Sequence, residues 1–166
     1  MVRGPGQARG GRGGRREAEG RAEGRRREAL KVQQKLDNGR LIGTTRGHLA
    51  GLLKATGRLD EARMEARKAL KTLKAMGART AMADQLVQLG EIELAAGRME
   101  RARKHLVDAR GFFQDAGPRR GEGRALSALG DVFARTGQTE AAQEAFVRSL
   151  RLLRKTGDLH EVVKAL

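Results

Sequence analysis

Few residues in this 166-residue chain stand where they could do covalent chemistry. His48, His105 and His160 are too widely spaced for a local zinc motif, which sets paired ligands within about five residues of each other. His105 stands beside Arg101 and Lys104, an arrangement that reads as a surface. There is no cysteine, so disulfides and thiolate ligands are excluded, in keeping with a reducing compartment. The glycine-rich residues 10–14 lack the Lys-Ser/Thr that completes a phosphate loop. Gly121-Glu122-Gly123 reads as a turn, and the acid pair Asp60-Glu61 as a helix start. No catalytic residue, metal ligand or cofactor site is assigned, and the chain reads as a non-enzyme.

Arginine offers a different chemistry. Residues 1–40 hold 12 Lys/Arg against five Asp/Glu and so carry +7 of the formal +15. Two RGG triplets place Arg9 and Arg12 in a Gly/Pro-rich run that continues to Arg15 and Arg16. Such segments attract nucleic acid through phosphate contacts and arginine stacking. The interleaved aromatics of longer RGG tracts are missing, so weak nucleic-acid binding is the alternative reading. Residues 1–20 cannot bury enough apolar surface to offset ordering entropy, and a disordered basic tail is expected there. No apolar run approaches the roughly 18 residues of a membrane span. No apolar segment follows the first arginines as in a secretory signal, so a cytoplasmic protein with no membrane association is expected.

The remaining chain is organised by a repeat. The string LGEIELAAGRMERARKHLVDA, residues 89–109, recurs forty residues later and more loosely forty residues earlier. Copies open at Leu49-Ala50, Leu89-Gly90 and Leu129-Gly130. Gly57, Gly97 and Gly137 form one glycine series, and Gly77, Gly117 and Gly157 form a second. Two landmarks with one period establish an internal repeat.

Each unit reads as a helix pair. Ala83, Leu86, Leu89, Gly90 and Leu94 keep helical spacing, as do Leu126, Leu129, Gly130, Phe133 and Ala134, which predicts first helices of about thirteen residues. Both glycine series are expected to end helices, and Gly97 and Gly137 to do so as C-cap glycines in the left-handed conformation. Asp60, Glu100 and Glu140 begin the second helices, where the helix dipole favours an acid. Their core faces run Ala62-Ala66-Ala69-Leu73, Ala102-Leu106-Ala109-Phe113 and Ala142-Phe146-Ser149-Leu153. Residues 21–40 read as the second helix of a degenerate unit. Full repeats follow at about 41–80, 81–120 and 121–158, and a partial one at 159–166. A sequence stopping inside a unit is either a fragment or a homo-oligomer built through uncapped ends.

The pattern L-G-x6-G-x4-A, at Leu89, Gly90, Gly97 and Ala102 and again at Leu129, Gly130, Gly137 and Ala142, resembles the tetratricopeptide repeat. The period is that of the forty-residue variant in kinesin light chains, LGN-type adaptors and bacterial regulators. The first unit departs, with Ala50 in the glycine position and Gly47 and Gly51 in a helix they weaken. The resemblance implies an all-α solenoid, a right-handed superhelix whose concave face is lined by first helices and binds a peptide or protein segment.

On that geometry the groove would be lined by Thr44, His48, Gly51 and Lys54, then Asp84, Gln88, Glu91 and Ala95, then Arg124, Ala128, Asp131 and Arg135. The signs are mixed, which suits a polar peptide. The asparagine-rich carboxylate clamp of chaperone-binding members is absent. Of the amides that grip peptide backbone in forty-residue members, Gln88 alone is kept, between His48 and Ala128. The expected function is a protein-interaction scaffold, as in a bacterial regulatory protein.

Overall fold

The computed structural model describes residues 11–35 and 38–156, which form seven helices and, among the described residues, no strand. They are α1 (Gly11–Lys35), α2 (Gly39–Ala55), α3 (Leu59–Ala75), α4 (Arg79–Ala95), α5 (Met99–Ala116), α6 (Arg119–Arg135) and α7 (Thr139–Thr156). Consecutive helices pack against one another. In addition α4 touches both α2 and α6, whereas no comparable contact joins α3 to α5 or α5 to α7. First helices therefore line the inside of the curve and second helices the outside, the all-α solenoid expected from the sequence.

The first helices are 17 residues long, not about thirteen. Their opening turns, such as Arg79-Thr80, are exposed and polar, so hydrophobic periodicity does not announce them. Asn38 caps α2 by accepting the amide of Leu41 at 3.1 Å. Asp60, Glu100 and Glu140 do fall in the first turns of α3, α5 and α7.

Gly57, Gly77, Gly97 and Gly137 all have positive φ, between 61° and 80°. At each stop the glycine N–H and the next N–H fold back onto carbonyls of the last turn, as Gly57 to Lys54 and Arg58 to Leu53. This is the Schellman motif, and glycine supplies its left-handed residue without a Cβ penalty. Gly117 breaks the series with φ −100° and ψ 168°. Pro118 follows it, and a proline disfavours the helical region for the residue before, so the chain leaves α5 extended. Gly157 and the partial unit 159–166 lie outside the described residues.

Two further expectations are corrected. Helix α1 begins at Gly11, inside the stretch expected to be a tail. Arg15 pairs with Glu19 and Arg21 with Glu17 at i,i+4 spacing, which adds a few tenths of a kcal/mol per pair to a helix of low intrinsic propensity. Residues 1–10 lie outside the described residues. Gly121-Glu122-Gly123 is not a turn but the opening of α6. A Cβ on Gly121 would stand 2.2 Å from Phe113, and one on Gly123 2.9 Å from Leu153, so both glycines admit a large side chain from an adjoining second helix.

Leu, Ala and Val fill the core. Leu30 of α1 joins Leu49, Ala50, Leu53, Ala62, Ala66, Leu89 and Ile92 in one cluster, and Phe113 and Leu129 belong to the other. The three second-helix faces read from the sequence are buried, Phe146 partly so. Inside the second and third repeats a glycine faces a larger residue. A Cβ on Gly90 would meet Leu106 at 2.4 Å, and one on Gly130 would meet Phe146 at 2.6 Å. In the first unit the corresponding positions are Ala50 and Ala66, so a methyl added on one helix is matched by bulk lost from the other.

One core position holds a charge. Glu93 is fully buried at the place in register with Leu53 and Phe133. Arg98 reaches its Oε2 at 3.1 Å, and Arg63 and Arg67 of α3 stand 4.0 Å from its carboxylate. Arg63 is also paired with Asp60.

Candidate functional site

The inner surface forms two adjoining hollows. The first, about 560 Å³, is bounded by Thr44 and His48 of α2, Ala81, Asp84, Gln85 and Gln88 of α4, and Pro118, Arg120, Gly121 and Arg124 at the start of α6. The second, about 400 Å³, is bounded by Lys54, then Glu91, Leu94 and Ala95, then Arg124, Ser127, Ala128, Asp131 and Arg135. Arg124 belongs to both, so the hollows form one groove across α2, α4 and α6. Every groove residue read from the sequence except Gly51 lines it: Thr44, His48, Lys54, Asp84, Gln88, Glu91, Ala95, Arg124, Ala128, Asp131 and Arg135.

The groove holds them in a way the sequence did not indicate, because much of their bonding capacity joins repeat to repeat. Lys54 Nζ reaches Glu91 Oε2 at 2.5 Å. Arg124 stands 3.7 Å from both Glu91 and Asp84, which completes a charge-alternating chain from α2 to α6. Gln88 Nε2 donates to the Gly47 carbonyl at 2.9 Å, and Arg135 donates to the Leu94 carbonyl at 2.8 Å, near the carboxyl end of α4 where the dipole welcomes a cation. Thr44 Oγ1 donates to the carbonyls of Arg40 and Leu41 in its own helix.

Burial pushes the Asp84 carboxyl above its ordinary range, partly offset by Arg124 and Arg120. Burial raises Asp131 too, with Arg135 opposing and Glu91 adding to it. Asp84, half-buried between α2 and α6, therefore stands in surroundings that under-solvate its charge, whereas Asp131 faces solvent.

Gln85 was not singled out in the sequence, because it lies one residue off the stripe that runs through Asp84, Gln88 and Glu91. It is only 8% exposed. Its amide lies against Gly47, where a Cβ would come within 2.3 Å of Nε2 and 2.6 Å of Oε1. A Cβ on Gly51 would stand 2.9 Å from Gln88 Nε2. The two glycines expected to weaken α2 thus clear the space that the α4 amides occupy, and α2 remains a continuous helix. The signal was in the register: Gln85 stands where the neighbouring units carry Thr45 and Ala125.

The arginines expected in a tail are placed otherwise. Arg12, Arg15 and Arg16 fall on α1, with Arg15 paired to Glu19, and Arg9 lies outside the described residues. His105 is half-buried on α5, and burial lowers its pKa. Among the described residues no group of three or more His, Asp or Glu could hold a metal ion, and no helix is long and apolar enough to cross a membrane.

Comparison with known proteins agrees with the geometry. Residues 82–155, which span α4 to α7, match the family model described as Tetratricopeptide repeat. The crystal structure of a Rap protein complexed with competence and sporulation factor superposes with a TM-score of 0.78 at 17% identity, over 86% of this chain and 40% of that one. BtubC (BKLC) from P. vanneervenii superposes with a TM-score of 0.73 at 20% identity, over 92% of this chain and 72% of that one. The chain therefore spans less than half of the Rap structure and most of BtubC. No curated protein matches the sequence. At these identities the structural likeness establishes the fold, a helical-repeat solenoid.

Proposed function

We propose that the groove across α2, α4 and α6 holds an extended segment of another protein, and that the chain is the docking module of a larger regulatory assembly. One observation carries this reading: eleven residues from three different repeats, brought together only by the superhelix, line one continuous concavity. The tetratricopeptide match and the Rap-like fold support it, and that Rap protein is itself complexed with a factor. Charge alternates along the groove wall, and opposite charges already satisfy one another, so a strongly charged occupant would have to break those pairs. A mostly neutral segment with polar side chains fits best.

The experiment is to select peptides from a displayed random library on the full chain and to map a selected peptide by hydrogen exchange. Protection confined to α2, α4 and α6 supports the reading; protection confined to α3 and α5 sinks it.

A second reading rests on α1, which carries nine Lys/Arg against four Asp/Glu and exposes Arg15, Arg21 and Arg25. Such a helix could hold phosphate. Glu17, Glu19 and Glu23 pair with Arg21, Arg15 and Arg27, which lowers its field. Binding of single-stranded RNA that weakens steeply over about 50–200 mM salt, as phosphate contacts do, and is lost when Arg15, Arg21 and Arg25 are replaced by Gln would favour this reading.

A further inference from the structure

The outer face opens where the sequence interrupts its own period. The position that holds Leu30, Leu70 and Leu150 in the other units holds Arg110 in α5. Leu30 is buried in one core cluster and Leu70 packs against both, so leucine at this place carries apolar packing between successive units. Two more positions change at the same junction: the second repeat has Arg101 and His105 where the third has Ala141 and Ala145. The long side chains of the earlier junction are thereby cut back to methyl groups. What results is a recess of about 210 Å³ between α5, α6 and α7. Leu126, Leu129 and Ala145 lie at its depth, and the half-buried Phe133 and Ala141 form its open wall. A dry apolar cavity of about 150 Å³ takes benzene, so the recess has room for one leucine or phenylalanine side chain.

The rim is cationic. Arg110 and Arg148 border the recess, and Arg103 stands over the Phe133 ring, 5.9 Å from its centroid. Glu144 is the one acid on the rim among the described residues, and it stands 3.7 Å from Arg148. Arg110 has no ion-pair or hydrogen-bond partner among the described residues. A guanidinium is weakly hydrated and offers a planar fork that matches a carboxylate, so Arg110 stands ready for one. We propose that this recess is a second docking site, on the outer face, for an acidic protein segment. One large apolar side chain of the segment enters the recess, and a carboxylate next to it meets Arg110. Both halves of the site select the partner. Phosphate alone would meet the arginines and leave the apolar wall wet, and a basic segment would meet three resident cations. The recess shares no lining residue with the groove, so occupation of one leaves the other free.

The probe is the acetylated, amidated tripeptide Glu-Leu-Glu, titrated into the full 15N-labelled chain while the backbone amide signals of Phe133, Ala141 and Ala145 are followed. Three further tripeptides separate the contributions: Gln-Leu-Gln removes the charge, Lys-Leu-Lys reverses it, and Glu-Ala-Glu removes the large apolar side chain. The expected result is saturable shifts of the three signals with Glu-Leu-Glu, at an affinity at least about threefold above each of the others, the worth of one partly exposed ion pair or more. Ala141→Arg installs the residue that the second repeat carries in register and should abolish the shifts. Arg110→Gln should weaken Glu-Leu-Glu at least about threefold and leave Gln-Leu-Gln unchanged, which a merely structural role for Arg110 would not do. Equal affinity for Glu-Leu-Glu and Glu-Ala-Glu would reduce the site to surface charge and overturn the proposal. So would equal affinity for Glu-Leu-Glu and Gln-Leu-Gln, shifts centred on groove residues such as Gln88, or no shift up to the solubility of the probe.

Discussion

Gln88 of α4 donates its side-chain amide to the main-chain carbonyl of Gly47 in α2, 2.9 Å away across the junction of two repeats. The same glycine receives a second amide of α4, since Gln85 packs where its Cβ would be. Alanine at 47 would favour helix by about 1 kcal/mol, while displacing the buried Gln85 amide would cost a similar amount. Gly47→Ala is therefore expected to change unfolding free energy in urea by less than about 1 kcal/mol, yet to move the Gln85 side-chain amide signals in an NMR spectrum. Unmoved signals would mean that Gln85 does not rest on Gly47.

The Gly90–Leu106 contact behaves differently, because the crowded atom is the branch point of a core leucine. Gly90→Ala should destabilise by about 1–3 kcal/mol through overpacking. Gly90→Ala with Leu106→Ala reproduces the Ala50 and Ala66 of the first repeat. The pair should then be less damaging than the sum of its singles, by about 1–2 kcal/mol in a double-mutant cycle. Additive losses would show that the two helices do not set their spacing at this point.

Much of this was legible in the sequence. The forty-residue glycine series carries its own physics, since a left-handed helix stop needs glycine. The alanine-rich faces announce close helix packing, and groove position follows from register. What escaped was whatever depends on partners far along the chain. The Gln85 notch needs Gly47 38 positions earlier, a relation no local period shows. Gly117 kept its place in the series but not its conformation, because Pro118 overrides it. Helix α1 begins earlier than its composition suggests, with ion pairs one turn apart supporting a weak helix former.

Glu93 is another residue the periodicity hid, a carboxylate at a leucine position. Its arginines are partly exposed, at 19%, 58% and 36% of their side chains for Arg63, Arg67 and Arg98, and can rehydrate if it is lost. Glu93→Ala is expected to cost about 2–3 kcal/mol, from the cavity and the lost charge-assisted bond. Glu93→Leu, which restores the residue type of Leu53, should come within about 1 kcal/mol of the native chain, as well-packed apolar replacements of buried ion pairs often do. If urea unfolding finds Leu as damaging as Ala, the buried charge is required for the fold.

Acid should weaken the fold through His105. Its folded pKa lies below its ordinary value because burial disfavours the cation, with Glu93 and Asp108 opposing. Such a group contributes stability that is complete above its unfolded pKa, about 6.5, and lost as pH falls through the folded value. Asp84 has the opposite sign. Its folded pKa is raised, so its contribution is complete below about pH 3.9 and lost as pH rises through the folded value. Thermal melts should therefore show a shallower loss of stability below pH 6.5 in His105→Gln, and a gain for Asp84→Asn at neutral pH that shrinks toward pH 4. Identical pH profiles for both variants and the native chain would contradict these environments.

The central claim is that partners dock on the inner face of the superhelix, and Ala95 tests it most directly. It is exposed at the end of α4, borders the second hollow, and can accept a tryptophan without entering the core. Val107, 49% exposed on α5, is the control on the outer face. The measurement is the Kd of one library-selected peptide for the native chain, Ala95→Trp and Val107→Trp, all three with unchanged helical circular dichroism. The account predicts a Kd raised at least about tenfold by Ala95→Trp, a loss of about 1.4 kcal/mol, and unaltered by Val107→Trp. Native affinity in Ala95→Trp together with a loss in Val107→Trp would contradict it.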